Sequence, residues 1–268
     1  MTTEPPTLPD RPPQGTLVEL SYPEPQLALL TLNDPERLNA MSHELGEVFS
    51  ARIRELSQSP PRVIVITGSG RAFSAGGDLE MLERKQLKSV SQNQTEMLQF
   101  YRLFLDVLDL EIPLVAAING WAVGAGFCLA CACDVRVCDP KAGFSVPFLK
   151  LGLFPGMGTT NLLPRVLGPR AFDLLLTGRK IGADEALSCG LVSRVSQPCE
   201  AGALGLQVAR EVLAGGPEVT RQLLRVLRGD RLELAAALER EAFLQGASYA
   251  TEEFRQGVAA ARLPRPKP

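Results

Sequence analysis

Two short apolar runs, Val63–Ile66 and Leu114–Ile118, each lead into a glycine-rich stretch. A β-branched run with no alternating polar positions suits a strand covered on both faces, as in parallel sheets packed between helices. The first glycine-rich stretch is Gly68-Ser-Gly-Arg-Ala-Phe-Ser-Ala-Gly-Gly-Asp-Leu79, and the second is Ile118-Asn-Gly-Trp-Ala-Val-Gly-Ala-Gly-Phe127. Upstream, Leu17–Leu20 and Leu27–Leu32 flank Tyr22-Pro-Glu-Pro and read as a hairpin. Ser42 stands before Leu45, Val48, Phe49, Ile53 and Leu56, an apolar stripe at helical spacing, and is expected to cap that helix. A second helical region should run to about Leu110, and another should carry the cysteines after the second glycine stretch. Beyond Thr159 the pattern is helical over 169–177, 200–214, 217–228, 231–247 and 252–260, with Leu191–Val195 as a strand. Strands alternating with helices imply an α/β layer structure, here with a helical C-terminal third.

At 268 residues, 45% of them hydrophobic, the chain is long enough to bury a sizeable core. Twenty-eight basic against 30 acidic residues give a net charge of -2, which argues against nucleic acid or an anionic membrane surface as partner. No apolar run reaches the ~18 residues of a membrane span, and Met-Thr-Thr-Glu-Pro-Pro lacks the basic and apolar parts of a secretion signal. A cytoplasmic protein is the expectation. Four of the six cysteines, Cys128, Cys131, Cys133 and Cys138, lie close together, but not as paired zinc knuckles. The only histidine, His43, is far upstream, so these thiols read as small packed residues and no metal is expected.

The two glycine corners are where chemistry is best placed. At a strand-to-helix junction free N–H groups point outward, the helix dipole adds positive potential, and glycine lets a ligand oxygen come close. Two such corners side by side can aim two donors at one carbonyl oxygen, an oxyanion hole; both can equally be tight structural turns. Rival motifs fit less well. Gly124-Ala-Gly126 begins like a dinucleotide fingerprint, but Leu129 stands where a small residue should follow. There is no P-loop, neither Ser74 nor Ser145 sits in a GxSxG elbow, and His43 is expected to be a solvated first-turn residue.

Between about residues 15 and 262 the chain resembles the crotonase superfamily, the enoyl-CoA hydratase/isomerase family. The resemblance is carried by Pro35-Glu-Arg-Leu-Asn-Ala-Met41, Ala72-Phe-Ser-Ala-Gly-Gly-Asp-Leu79, Pro113-Leu-Val-Ala-Ala-Ile-Asn-Gly120 and Gly124-Ala-Gly126. Leu151-Gly-Leu-Phe-Pro-Gly156, Leu163-Pro-Arg-Val-Leu-Gly168, Leu175-Leu-Thr-Gly178 and Ala183-Asp-Glu-Ala-Leu187 add to it. It implies a crotonase-like spiral of stacked ββα units over 15–200 and a helical C-terminal trimerisation region over 201–262. Proline-rich or short tails at 1–14 and 263–268 complete the expected organisation. It further implies an acyl-CoA thioester as ligand, no cofactor beyond the coenzyme A carried by the substrate, and a homotrimer or dimer of trimers. The oxyanion donors it implies are the backbone amides of Ala75 and Ala125. Arg37, Ala40, Gly76, Gly77, Asp78, Leu79, Gly124, Cys128 and Phe148 are the substrate-binding candidates, with Asp78 as a loop-ordering or capping residue. Arg37, Arg84, Lys85 and Lys88 are candidates for the CoA phosphates.

The chain departs from the family at the positions that decide the reaction. The two glutamates used for hydration are matched by Cys128 and Phe148, and the aspartate of some isomerases by Gly156. Acid–base groups contribute roughly 10²–10⁴-fold each, so a standard hydratase route is disfavoured while the carbonyl site remains. Cys128 as a nucleophile, and Glu80 or Glu83 as substitute acid or base, are the readings that restore chemistry. Ala261 stands where an aromatic is common in the last helix. Two hypotheses follow: an enzyme that isomerises, decarboxylates or hydrolyses an acyl-CoA through an oxyanion, and a catalytically silent acyl-CoA-binding or scaffolding homologue.

Overall fold

The apolar runs form strands buried on both faces, and the glycine corners carry the chain from one sheet to another. A computed structural model describes residues 17–229 and 231–262. The expected tails at 1–14 and 263–268 lie outside these residues. In chain order the elements begin with β1 (Val18–Glu24), β2 (Leu27–Leu32), α1 (His43–Gln58), β3 (Val63–Gly68), β4 (Ala72–Ser74), α2 (Leu79–Arg84) and α3 (Val90–Leu105). Then come β5 (Leu114–Ile118), β6 (Trp121–Val123), α4 (Ala125–Ala132), β7 (Val135–Cys138), β8 (Gly143–Ser145), α5 (Thr159–Leu167) and α6 (Arg170–Thr177). The chain continues through β9 (Ile181–Gly182), α7 (Ala183–Ser188), β10 (Arg194–Val195), α8 (Ala201–Leu213), α9 (Pro217–Arg228), α10 (Arg231–Ser248) and α11 (Glu252–Arg262).

Two sheets result, in the order β1-β2-β3-β5-β7-β10 and β4-β6-β8-β9. Within the first, β1 is antiparallel to β2 and every other pairing is parallel. In the second, β4, β6 and β8 are parallel and β9 closes the edge antiparallel. Each turn of the chain therefore lays one strand in the large sheet and the next in the small one, then advances by one position: a spiral of stacked units. The corners must be tight. A Cβ on Gly120 would lie 2.1 Å from the Arg71 carbonyl oxygen, so only glycine passes there.

Ser42 caps α1 as expected, accepting the Leu45 N–H at 3.2 Å, and Leu45, Phe49, Ile53 and Leu56 are buried. The second sheet is the part that sequence patterning does not announce. Strands β4, β6 and β8 are three residues each and sit inside or beside the glycine stretches, too short to show a period. The expected strand at Leu191–Val195 shrinks to Arg194–Val195. The boundary expected at residue 200 falls just ahead of α8, which packs on the large sheet. Gly205 lets it come close, since a Cβ there would lie 2.7 Å from that of Ala117, and Val208 and Ala209 bury against Val65, Val115 and Val137. The other face of that sheet belongs to the main core with α1, α3 and α4.

Candidate active site

The segment Pro35–Met41 is laced to the first glycine corner. Asn39 is fully buried and its side-chain amide donates to the carbonyls of Ser69 (3.0 Å) and Ala72 (2.8 Å). Ser74 Oγ donates to the Asn39 carbonyl at 2.7 Å, so this serine is a brace and not a nucleophile. The amides of the corner are then used one by one. Ala75 N–H donates to the Leu38 carbonyl (2.9 Å), Gly76 N–H to Ser74 Oγ (3.2 Å) and Asp78 N–H to the Met41 carbonyl (3.2 Å). Among the described residues, Gly77 N–H has no acceptor. This corrects the expected donor: Ala75 is already spent, and Gly77 carries the available amide.

At the second corner Gly124 N–H donates to the Ser145 carbonyl (2.9 Å), whereas Ala125 opens α4 and its N–H has no acceptor within the helix. The two corners touch. A Cβ on Gly76, whose φ is +91°, would lie 2.5 Å from the Val123 carbonyl oxygen and 3.5 Å from Ala125 N. Gly77 and Ala125 both line one cavity of about 850 Å³. Of the substrate-binding candidates, Arg37, Ala40, Gly76, Asp78, Leu79, Gly124 and Phe148 line it too, and so do Glu80, Gly156 and Ala261. Phe148 is 9% exposed, and the rim of its ring would lie 3.9 Å from a Cβ on Gly124, so an apolar ring abuts the second corner.

Asp78 caps α2, accepting the Met81 N–H at 2.8 Å through Oδ1 while its other oxygen pairs with Arg37. That arrangement fixes the corner but occupies both groups. Cys128 does not line the cavity, which corrects its assignment as a ligand contact. It points into the packing behind the corner, with Sγ 2.7 Å from Thr159 Oγ1, and Thr159 Oγ1 in turn donates to the Gly156 carbonyl. Burial pushes the Cys128 thiol well above its ordinary range, so it is no thiolate nucleophile. Glu83 also lies off the cavity, paired with Arg262 of α11. Glu80 lines the cavity and is exposed at the start of α2.

The expected phosphate contacts need similar revision. Lys85 is 4% exposed, bound to Glu96, and its ammonium is pulled down in pKa by burial. Lys88 shares the same carboxylate, and neither lysine nor Arg84 lines the cavity. The cations that do are Arg37, Lys150 and Arg262. His43 is an exposed first-turn residue edge-on to Phe100. No three His, Cys, Asp or Glu side chains among the described residues are grouped to hold a metal.

Sequence reasoning missed the wall built by α3 and α10. Tyr101 and Gln245 line the cavity from 144 positions apart, the Tyr101 hydroxyl donating to Gln245 Oε1 at 2.7 Å. Helix α10 also holds the loop before α5. Glu241, wholly buried, accepts from Gly158 N–H (2.7 Å), Thr160 N–H (2.7 Å) and Thr160 Oγ1 (2.6 Å), while Gln245 Nε2 donates to the Phe154 carbonyl at 2.8 Å. Burial raises the Glu241 carboxyl. The only trace of this wall in the sequence is helical spacing, which marks Tyr101 as one more core residue.

Two adjoining corners, each with an amide that has no acceptor among the described residues, thus meet at one cavity. The sequence profile of the enoyl-CoA hydratase/isomerase family matches residues 24–263, and the chain belongs to that family, within the crotonase superfamily. It is 32% identical to the short-chain-enoyl-CoA hydratase of Clostridium acetobutylicum over 246 residues, covering 88% of this chain and 91% of that protein. The crystal structure of an enoyl-CoA hydratase from Bacillus halodurans superposes with a TM-score of 0.83 at 26% identity, covering 91% of this chain and 99% of that one. A monofunctional enoyl-CoA isomerase from M. smegmatis gives 0.66 at 31% identity, covering 82% and 98%. No helix among the described residues is long and apolar enough to cross a membrane.

Proposed function

We propose that the protein takes up an acyl-CoA thioester, seats its carbonyl oxygen between the amides of Gly77 and Ala125, and turns it over by a route other than standard hydration. The observation that carries this reading is the pairing of two free amides on one cavity with Cys128 buried away from it and Phe148 inside it. Charge that develops on the oxygen during isomerisation, decarboxylation or thioester hydrolysis is stabilised by such donors, where removal of one typically costs about 10²–10³ in rate. The apolar ring of Phe148 excludes the water that hydration would need and suits an alkyl or aryl chain. Asp78 is held by Arg37 and by the helix cap, which leaves Glu80 as the carboxylate on the cavity wall that is free to exchange a proton with a ligand.

The absence of carboxylates at the three family positions favours the second reading, a silent acyl-CoA-binding homologue. A panel of enoyl-, β-ketoacyl- and malonyl-type CoA thioesters, followed for binding and for product, separates the two. The enzyme reading expects product from at least one thioester and its loss, by about a hundredfold, in Glu80→Gln. Tight binding throughout with no product from any would leave the silent reading standing.

A further inference from the structure

Helices α3 and α10 deliver one neutral polar pair to a wall that is otherwise mostly apolar. Tyr101 is 1% exposed and Gln245 3%, with Met97, Phe100 and Leu153 also lining the cavity. The pair is held by its own bonds: the Tyr101 hydroxyl donates to Gln245 Oε1, and Gln245 Nε2 donates to the Phe154 carbonyl. A glutamine amide has two N–H donors and two oxygen lone pairs. Bonds within the described residues use one of each, which leaves one donor and one acceptor in a buried setting where an unmade hydrogen bond is costly. Gly156 keeps this pair uncovered. A Cβ there would lie 2.3 Å from the Tyr101 hydroxyl and 2.9 Å from both polar atoms of the Gln245 carboxamide, so any other residue would displace them.

The surrounding charge selects what the pair can receive. Glu241, buried beside the pair, accepts three hydrogen bonds from Gly158 and Thr160 and brings no positive charge to this part of the wall. The three cations on the cavity wall are engaged elsewhere, Arg37 by Asp78, Lys150 by the Gly178 carbonyl and Arg262 by Glu83. A carboxylate on the ligand would be desolvated here without a free counter-ion. A neutral oxygen would take the spare N–H and, if it is a hydroxyl, return a proton to the spare lone pair.

Resting on the acyl-CoA reading above, we infer that Tyr101 and Gln245 form a specificity subsite for a neutral oxygen, a hydroxyl or ketone, carried on the acyl chain beyond the thioester carbonyl. The test titrates the full chain with CoA thioesters of equal length: a saturated alkyl chain, the same chain with a hydroxyl or ketone moved stepwise along it, and one ending in a carboxylate. One position of the oxygen is expected to bind about tenfold tighter than the alkyl chain, the upper range of one neutral hydrogen bond, and the carboxylate more weakly than either. Tyr101→Phe and Gln245→Leu should each bring the ratio of oxygenated to alkyl affinity down to about one; because each leaves a buried partner unpaired, that ratio, and not the melting temperature, is the readout. Equal affinity for every oxygenated chain and the alkyl chain in the native protein would overturn the subsite, whether or not the variants fold. So would a preference that survives both substitutions, or tightest binding of the carboxylate. Failure of the alkyl thioester itself to bind would instead overturn the acyl-CoA reading.

Discussion

At the scale of single residues, the difference between Ala75 and Gly77 decides which atom meets the ligand. The amide of Ala75 is taken by Leu38, a residue whose own φ of +56° turns its carbonyl toward the corner. The adjacent glycines then have opposite tolerances. Gly76 sits at positive φ with its missing Cβ against Val123, whereas a Cβ on Gly77 would find Leu82 at 3.5 Å, ordinary contact distance. Gly76→Ala is expected to weaken acyl-CoA binding by at least about tenfold and to destabilise the fold by about 1–3 kcal/mol. Gly77→Ala should change either by little, since the N–H is kept; calorimetric titration and thermal melts of the two variants check the contrast. Sequence alone makes both corners legible because glycine clusters after buried strands have few other uses. It does not show which amide is free, because Leu38 and Met41 reach the corner from more than 30 residues away. Cys128 illustrates the same limit: its place in the chain points to the site, and only the rotation of α4 turns it toward Thr159 instead.

At the scale of elements, α4 is buried along its whole length, and no polar side chain interrupts it. Cys131 and Cys133, within it and just after it, are buried thiols pushed up to about 12 by desolvation. In the unfolded chain they would ionise near about 8.5. Protons are therefore retained by the folded form and lost by the unfolded one as pH rises through that interval, so stability is complete below it and falls above it. Each thiol should contribute a slope of up to about 1.4 kcal/mol per pH unit between about pH 9 and 12. Urea unfolding across that range should show the decline, and Cys131→Ala with Cys133→Ala should flatten it. The long strands and α1 were legible from unbroken apolar runs and a capping serine. The three-residue strands of the small sheet were not, because their register is set by their neighbours and not by any period of their own. The meeting of α3 with α10 escaped for a related reason: helical spacing identifies an inner face but not its partner.

At the scale of the whole molecule, the helices after α8 leave apolar surface uncovered. Val219, Leu223, Val226 and Leu227 stand exposed at helical spacing along α9, a stripe that monomeric proteins seldom leave open to water. Assembly as a homotrimer or a dimer of trimers remains the expectation for this region, and sedimentation should return one of those masses. Leu223→Glu with Val226→Glu should shift the mass downward, and a native monomer would contradict the expectation outright. Helix α11 has a separate consequence. Gly257, Ala260, Ala261 and Arg262 complete the cavity wall, and among the described residues the helix is anchored by Phe254, Val258, the close approaches of Gly257 to Leu151 and of Gly152 to Glu253 and Phe254, and the exposed pair of Arg262 with Glu83. Such a segment can open without the rest of the protein unfolding. Its backbone protons should exchange with heavy water ahead of those in the large sheet, and ligand should slow them. A full pocket would thus be announced by a quieter last helix, readable by mass spectrometry before any product is sought.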